Sequence, residues 1–436
     1  MAEIRTIRSK GIYHGLPVFS DDVKGLTAVV VGSNGISGHQ MVSGRLLRVL
    51  CESPERWSKI YAVSRSPPHG QWPSHVEHVT IDLLQAPEAI GTQLMERGIV
   101  VDYVFFFAYI QPEPAEGKGL WDAVDEIVAV NSSLLRNFLD GLAISKNIPK
   151  RIHLQMGAKY YGLHLGPTSV PQEETDPQVD IEPNFYYFQE AILQEFCEKH
   201  GADWNTTRPS HVLGAVPNAA MNLLHPLAIY AVVQKHLGRP LEFPSDLTAW
   251  DTNVTMSSAH MNSYLSEWAV LTDAAKNESF NAADDCPFTW GKFWPKFAEK
   301  FDMPYSRPKS EMDSPQYVSI ELPHDPPPRG FGPRGKLRCT FTLTQWAKEA
   351  EVQRAWEEIA ERYQLRDRKL RDVDRIFGFA DIALMVSWSI NYSMSKAKKL
   401  GFFGFVDTTE SIFEVLQDFV DLKMIPPLPK NGLSSL

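Results

Sequence analysis

The 436-residue chain is long enough to bury a large core and to form two domains, or one enlarged α/β domain. Apolar residues make up 43% and charged residues 22%, as in ordinary globular proteins, and the formal charge of −10 argues against a nucleic-acid or anionic-membrane surface. Cys51, Cys197, Cys286 and Cys339 stand far apart, with no CxxC pair and no ligand spacing, so they read as reduced thiols and no metal is expected.

Residues 1–25 read as a polar lead-in without the apolar stretch of a signal sequence, and nowhere do eighteen apolar residues run together; a cytoplasmic chain is expected. Thr27–Val31 then forms a small, β-branched apolar run that ends in glycines at Gly32, Gly35 and Gly38. Val42, Leu46, Leu47 and Leu50 follow at helical spacing. Strand, glycine turn and helix in that order is the setting of a dinucleotide-binding loop. Gly32 permits the tight turn, Gly35 lets backbone approach a pyrophosphate, and Gly38 lets helix and strand pack closely. Ser33, Asn34 and Ile36 complete the expected contacts at the helix start, whose free N–H groups hold a phosphate.

Lys59–Ser64 reads as a second strand. Where NAD-selective folds carry an acidic residue for the ribose 2′-OH, this chain has Ser64 and Arg65, which suit a 2′-phosphate and point to NADP(H). A solvated loop arginine is the alternative. A third strand, His78–Ile81, delivers Asp82 and Leu83 to the adenine side. Val101–Ala108 is apolar enough for a central parallel strand, with Ala108 at the cofactor and Tyr109 at its carboxyl end. Trp121–Ile144 is a long amphipathic helix whose apolar stripe is interrupted by Asn131, either satisfied internally or part of a site. This alternation predicts a Rossmann-type doubly wound parallel sheet.

Arg151–Met156 is a further strand, ending in Gly157-Ala158-Lys159-Tyr160-Tyr161-Gly162. Asn184-Phe185-Tyr186-Tyr187-Phe188-Gln189-Glu190 opens a helix through Phe196. Asp203–Thr207 then leads into Arg208-Pro209-Ser210-His211-Val212-Leu213-Gly214. A Tyr-x-x-x-Lys pair, usual in short-chain reductases, occurs at Tyr392 and Lys396, far from the sheet's active edge and at a lysine-rich helix end.

A lysine before the tyrosines in GAKYYG, followed by NFYYFQE, resembles the progesterone 5β-reductase/iridoid synthase-like (PRISE) family. These are atypical short-chain dehydrogenases/reductases that reduce enones with NADPH. VGSNGISG, VSRS, RPSHVLG, AKNESFNAADDCPFTWGKFWPKFAEKF, SMSKAKKLGFFGF and the closing MIPP extend the resemblance over most of residues 26–427. It implies that Lys159 and Tyr186 are the catalytic pair, with Tyr186 donating to the carbonyl oxygen of the substrate and Lys159 at the nicotinamide ribose. Tyr187 replaces Tyr186 if the helix starts one residue later. Met156, Tyr160 and Ala191 depart from the family pattern, and Tyr109 stands where some relatives carry Trp.

Beyond Gly214 the alternation stops. Apolar helices are expected over Met221–His236, Glu349–Tyr363, Phe377–Lys399 and Ile412–Lys423, forming a helical substrate cap. The division is a lead-in at 1–25, a cofactor domain at 26–215 and a cap at 216–436. Backbone at Ser210 and Val212 is expected to meet the nicotinamide. His211 reads as a structural histidine with its ring turned away. Tyr109, Tyr161, Asn222 and Phe377 are the expected substrate contacts, with Phe379 a further candidate for the pocket wall and Tyr160 and Tyr161 reading equally as packing. The expected reaction is NADPH-dependent 1,4-reduction of an enone or enal in secondary metabolism, by a chain that a homodimer would suit. A same-fold isomerase, cyclase or epimerase and a non-catalytic NADP sensor are the alternatives.

Overall fold

The computed structural model describes residues 6–33, 41–68, 71–112, 123–217, 221–308 and 316–429; Asn34, Gly35, Ile36 and Gly38 lie outside them. The expected polar lead-in is a hairpin of β1 (Ile7–Lys10) and β2 (Tyr13–Pro17), and β2 also pairs antiparallel with Phe405–Val406. In chain order β3 (Leu26–Val31), α1 (Met41–Cys51), β4 (Trp57–Ser64), β5 (Val76–Thr80) and α2 (Pro87–Glu96) follow. Next come β6 (Tyr103–Phe106), α3 (Val124–Ile144), β7 (Arg151–Gln155), α4 (Phe185–His200) and β8 (Asp203–Pro209).

Six of these strands join a seventh, Glu278–Ala282, in one parallel sheet. Its order is Glu278–Ala282, β8, β7, β6, β3, β4, β5. The edge strand corrects the expectation that alternation ends at Gly214. The chain returns to the sheet after a helix at Ala259–Leu271, and its sequence ESFNA is too polar and short to read as a core strand.

The side-chain period of two divides the apolar residues between the faces. Val29 and Val31 of β3 pack on one face with Val104, Phe106, Ile152 and Leu154. Ala28 and Val30 pack on the other with Leu46, Leu47, Phe105 and Ala259. At ~1.5–3 kcal/mol for each fully buried large apolar side chain, this two-sided burial is the main stabilising term. α3 is long and apolar enough to cross a membrane by composition, but here it packs between α2 and α4 with Leu134, Leu135, Phe138 and Leu142 buried.

After β8 the chain forms β9 (His211–Leu213), parallel to Met256–Ser258, then α5 (Leu224–His236). The continuous helix expected over Phe377–Lys399 is two helices, Val373–Met385 and Ser395–Leu400. They are separated by an extended stretch in which Ile390 bridges Val254 and Tyr392 bridges Gln172.

Candidate active site

From β3 the sheet grows toward β4 on one side and β6 on the other, so the carboxyl ends of β3 and β6 flank a crevice where open α/β sheets hold ligands. Gly32 follows β3 at φ +84°, and a Cβ there would lie 2.7 Å from the Ala108 nitrogen. Glycine is therefore required by both the turn and the closeness of the two strand ends. The Ser33 hydroxyl donates to Ser64 Oγ at 3.1 Å, and Ser64 donates to the Ser66 carbonyl at 2.6 Å. Arg65 beside them is exposed and makes no ion pair among the described residues. Asp82, past the end of β5, accepts from the Leu84 N–H at 3.0 Å. The carbonyl of buried Leu83 accepts from Asn137. Asn131 is satisfied internally: its amide exchanges two hydrogen bonds with the Ile110 backbone, each 2.9 Å, and so clamps the Tyr109–Ile110 turn.

The crevice deepens into a largely apolar cavity. Ala108 and Tyr109 enter from the end of β6, Gln155 to Lys159 from the end of β7, Tyr186 from α4, and Ser210 to Val212 from β9. Phe379, Ile382, Ala383, Val386 and Ile390 form its roof. Lys159 lies on a 3₁₀ turn, Ala158–Tyr161, and Tyr186 on the first turn of α4. Asn184 joins them: its Oδ1 caps the helix at the Tyr186 N–H, 3.1 Å, and its Nδ2 donates to the Lys159 carbonyl at 2.7 Å. That cap sets the helix start and separates the two tyrosines. Tyr186 lines the cavity, whereas the Tyr187 hydroxyl donates to the Tyr160 carbonyl at 2.6 Å and accepts from the Val179 N–H. The Tyr186 hydroxyl lies directly over Gly157, where a Cβ would come within 2.7 Å of it.

Burial pushes the Tyr186 phenol up, so it holds its proton at neutral pH. Burial also depresses the Lys159 ammonium to about 7, against the opposing pull of Glu182. The unfolded chain keeps that proton up to the ordinary lysine range, so the fold carries the penalty of an enclosed ammonium below pH 7 and sheds it between pH 7 and about 10.5. Lys159→Met is expected to raise the melting temperature at pH 6, by a stabilisation on the order of a few kcal/mol, with the gap to wild type closing toward pH 10 in thermal scans across that range.

Several expected contacts stand elsewhere. Tyr161 is buried away from the cavity, its hydroxyl donating to Asn281 Oδ1 at 2.7 Å. Asn222 accepts from the Leu224 and His225 N–H groups and donates to the Gly214 carbonyl, so it is a backbone cap at α5. Phe377 packs toward Trp346 at a centroid distance of 6.4 Å; Phe379, two residues on, faces the cavity instead. The Ser210 N–H is occupied by Ser257 Oγ at 2.8 Å, although Ser210 and Val212 do line the cavity. His211 also lines it; its ring is hydrogen-bonded to the Thr255 backbone, and burial lowers it to about 4, so it is a neutral imidazole. Lys396 pairs with Glu278 at 2.5 Å, outside the cavity.

Behind the 3₁₀ turn lies a buried cluster that the sequence reading missed. Glu190 accepts from the Tyr160 hydroxyl at 2.9 Å and pairs with Arg208 at 3.4 Å. The Arg208 guanidinium lies 3.5 Å from the Tyr160 ring centroid and donates to the Glu174 carbonyl. This cluster ties α4, β8 and the lysine-bearing turn together.

The cavity also suits a dinucleotide on its own chemistry. Two buried polar atoms on its wall, Gln155 Oε1 and His211 Nδ1, have no hydrogen-bond partner among the described residues, and buried polar atoms are ordinarily paired.

The PRISE-like Rossmann-fold domain matches residues 28–322. The chain belongs to this family. Among its PRISE-like relatives is the Arabidopsis thaliana 3-oxo-Delta(4,5)-steroid 5-beta-reductase, 29% identical over 92% of this chain and 93% of the relative. The (S)-8-oxocitronellyl enol synthase of Catharanthus roseus is 27% identical, with 92% of each chain covered. In fold, the PRISE-like chain is similar to the UDP-glucose 4-epimerase of Thermotoga maritima, with a TM-score of 0.55, 14% identity, and 90% of this chain and 99% of that one covered. The family resemblance read from GAKYYG and NFYYFQE is thus confirmed, as is the doubly wound sheet.

Proposed function

We propose that this PRISE-like chain is an NADPH-dependent oxidoreductase that reduces the C=C bond of a small enone or enal. The observation that carries the reading is the pairing of Lys159 with Tyr186 in one apolar cavity, at the carboxyl edge of the sheet, with the tyrosine hydroxyl over Gly157. The steroid reductase and oxocitronellyl enol synthase relatives, whose names describe carbonyl-bearing small molecules, support it.

Gly32, Ser33, Ser64, Arg65, Asp82, Leu83, Ala108, Ser210 and Val212 would hold the dinucleotide. Asn34, Gly35, Ile36 and Gly38 would do so in the glycine loop. When bound, the reduced nicotinamide supplies a hydride to the β-carbon of the activated alkene. Negative charge then develops on the carbonyl oxygen, and Tyr186, protonated at neutral pH, donates a hydrogen bond there. A proton taken up from solvent at the α-carbon completes the saturated carbonyl product. In its charged form Lys159 adds positive potential that favours charge toward the phenol oxygen. The apolar roof formed by Phe379, Ile382, Ala383 and Val386 excludes water and strengthens both effects.

The test is loss of reduced cofactor, NADPH against NADH, with small cyclic enones, an enal and a steroid enone. Turnover with NADPH is expected. Tight binding without turnover of any of these compounds would sink the reductase reading in favour of isomerisation, cyclisation or cofactor sensing. In the same assay Arg65→Ala is expected to lower the NADPH-over-NADH preference in kcat/KM by ~10–100-fold, the worth of a charge-assisted phosphate contact. An unchanged preference would remove Arg65 from the phosphate site.

A further inference from the structure

A second cleft opens on the outer side of the roof helix, Val373–Met385. Phe379, Ile382 and Ala383 of that helix face the cavity described above, whereas Ile376 and Phe377 line the cleft. The cleft has a volume of about 400 Å³ and lies between α5, the helix Ala350–Tyr363 and the segment 366–372. Buried Ile229, Trp356, Ile376 and Phe377 form its floor, and Arg366, Arg368, Lys369, Arg371 and Arg375 its rim. Asp367 and Asp372 are the acidic residues of its lining. Asp372 lies 3.8 Å from Arg375, and Lys369 pairs with Glu357 at 3.3 Å. Arg366, Arg368 and Arg371 make no ion pair among the described residues. The segment that carries them is held from behind. The Trp356 indole N–H donates to the Asp367 carbonyl at 3.1 Å, Arg368 Nη1 to the Ala360 carbonyl at 2.8 Å, and the Arg366 N–H to the Lys423 carbonyl at 2.8 Å.

A chain of net charge −10 thus gathers five cations against two carboxylates on one cleft. Like charges gathered there repel one another unless an anion joins them, and an apolar floor concentrates their field at the mouth. Guanidinium forks match phosphate oxygens two at a time, which a point charge cannot do. The volume falls in the range of small-molecule sites, ~300–1,000 Å³, and so has room for more than a lone ion. We propose that this cleft is a binding site for a small molecule bearing a diphosphate group, held by Arg366, Arg368 and Arg371. Its lining shares no residue with the cavity that holds Lys159 and Tyr186, and the assignment stands whether or not an enone is reduced there.

Inorganic pyrophosphate is titrated by calorimetry into the full chain in excess NADPH, so that the dinucleotide crevice is already filled. One saturable site per chain is expected, weakening as sodium chloride is raised. Arg366→Gln and Arg371→Gln, at exposed side chains, should each lower the affinity by ~10-fold or more, and Arg371→Lys should keep part of it. Arg362→Gln removes a cation near the cleft but outside its lining and should change nothing. Absence of saturable binding, or equal weakening by Arg362→Gln, overturns the assignment. Binding of citrate in preference to pyrophosphate overturns the diphosphate class. Binding of a glutamate-rich peptide without pyrophosphate overturns the small-molecule assignment and makes the cleft a docking surface for acidic protein.

Discussion

Tyr186→Phe is expected to lower kcat for enone reduction by ~10²–10³-fold, the usual effect of removing one preorganised donor from a developing oxyanion. The ring keeps its place beside Phe185, 4.1 Å between centroids, so the melting temperature and NADPH affinity should stay near wild type. A steady-state assay with a thermal scan and a cofactor titration separates these effects. Gly157→Ala is the complementary change. It leaves the phenol in the chain but places a methyl group within 2.7 Å of its oxygen, so the hydroxyl must shift and kcat should fall while Lys159 is untouched. Full turnover in Tyr186→Phe would move the donor role to another group, and Tyr109, which shares the cavity, would be the next to test.

The second large effect is on stability. Arg208→Met would leave Glu190 buried beneath the 3₁₀ turn with its counter-charge gone, since Arg208 pairs with it at 3.4 Å and both side chains are enclosed. Breaking one side of such a pair costs about 3–5 kcal/mol, measurable as a lower urea midpoint. Adding Glu190→Gln should recover part of the loss, because the penalty is the stranded carboxylate and not the missing arginine alone. If Arg208→Met alone is neutral, the cluster is not a structural support of the turn.

The sheet was legible because Thr27–Val31, Lys59–Ser64 and Val101–Ala108 carry their burial in composition: apolar residues occupy both faces of the strands, and turn residues end them. Tyr186 was distinguished from Tyr187 by a single side chain, Asn184, whose capping geometry no periodicity reveals. The helix expected over Phe377–Lys399 went wrong at a readable place. Val386-Ser387-Trp388-Ser389-Ile390-Asn391-Tyr392-Ser393 alternates with period two, the signature of an extended segment, and its apolar members are the buried ones. Asn222 and Phe377 had the right neighbourhood and the wrong direction; which way a side chain points from a loop or a helix in a cap is decided by tertiary packing. His164 and Glu182 were invisible for a different reason. They lie on loops before and after an irregular polar stretch, and only the fold brings them together.

The hairpin at the start of the chain has a bearing on how the protein is made. β2 finds its second partner in Phe405–Val406, and the backbone there is so close that a Cβ on Gly15 would collide with the Phe403 carbonyl. As the chain emerges from the ribosome, this hairpin must wait until residue 406, more than a hundred residues after the last strand of the Rossmann sheet, has been translated. Its closure is the most non-local step in assembly, paid for late in chain entropy. A hairpin synthesised well before its second partner is thus locked late, and a nascent chain stalled before residue 405 would carry an open strand edge on β2.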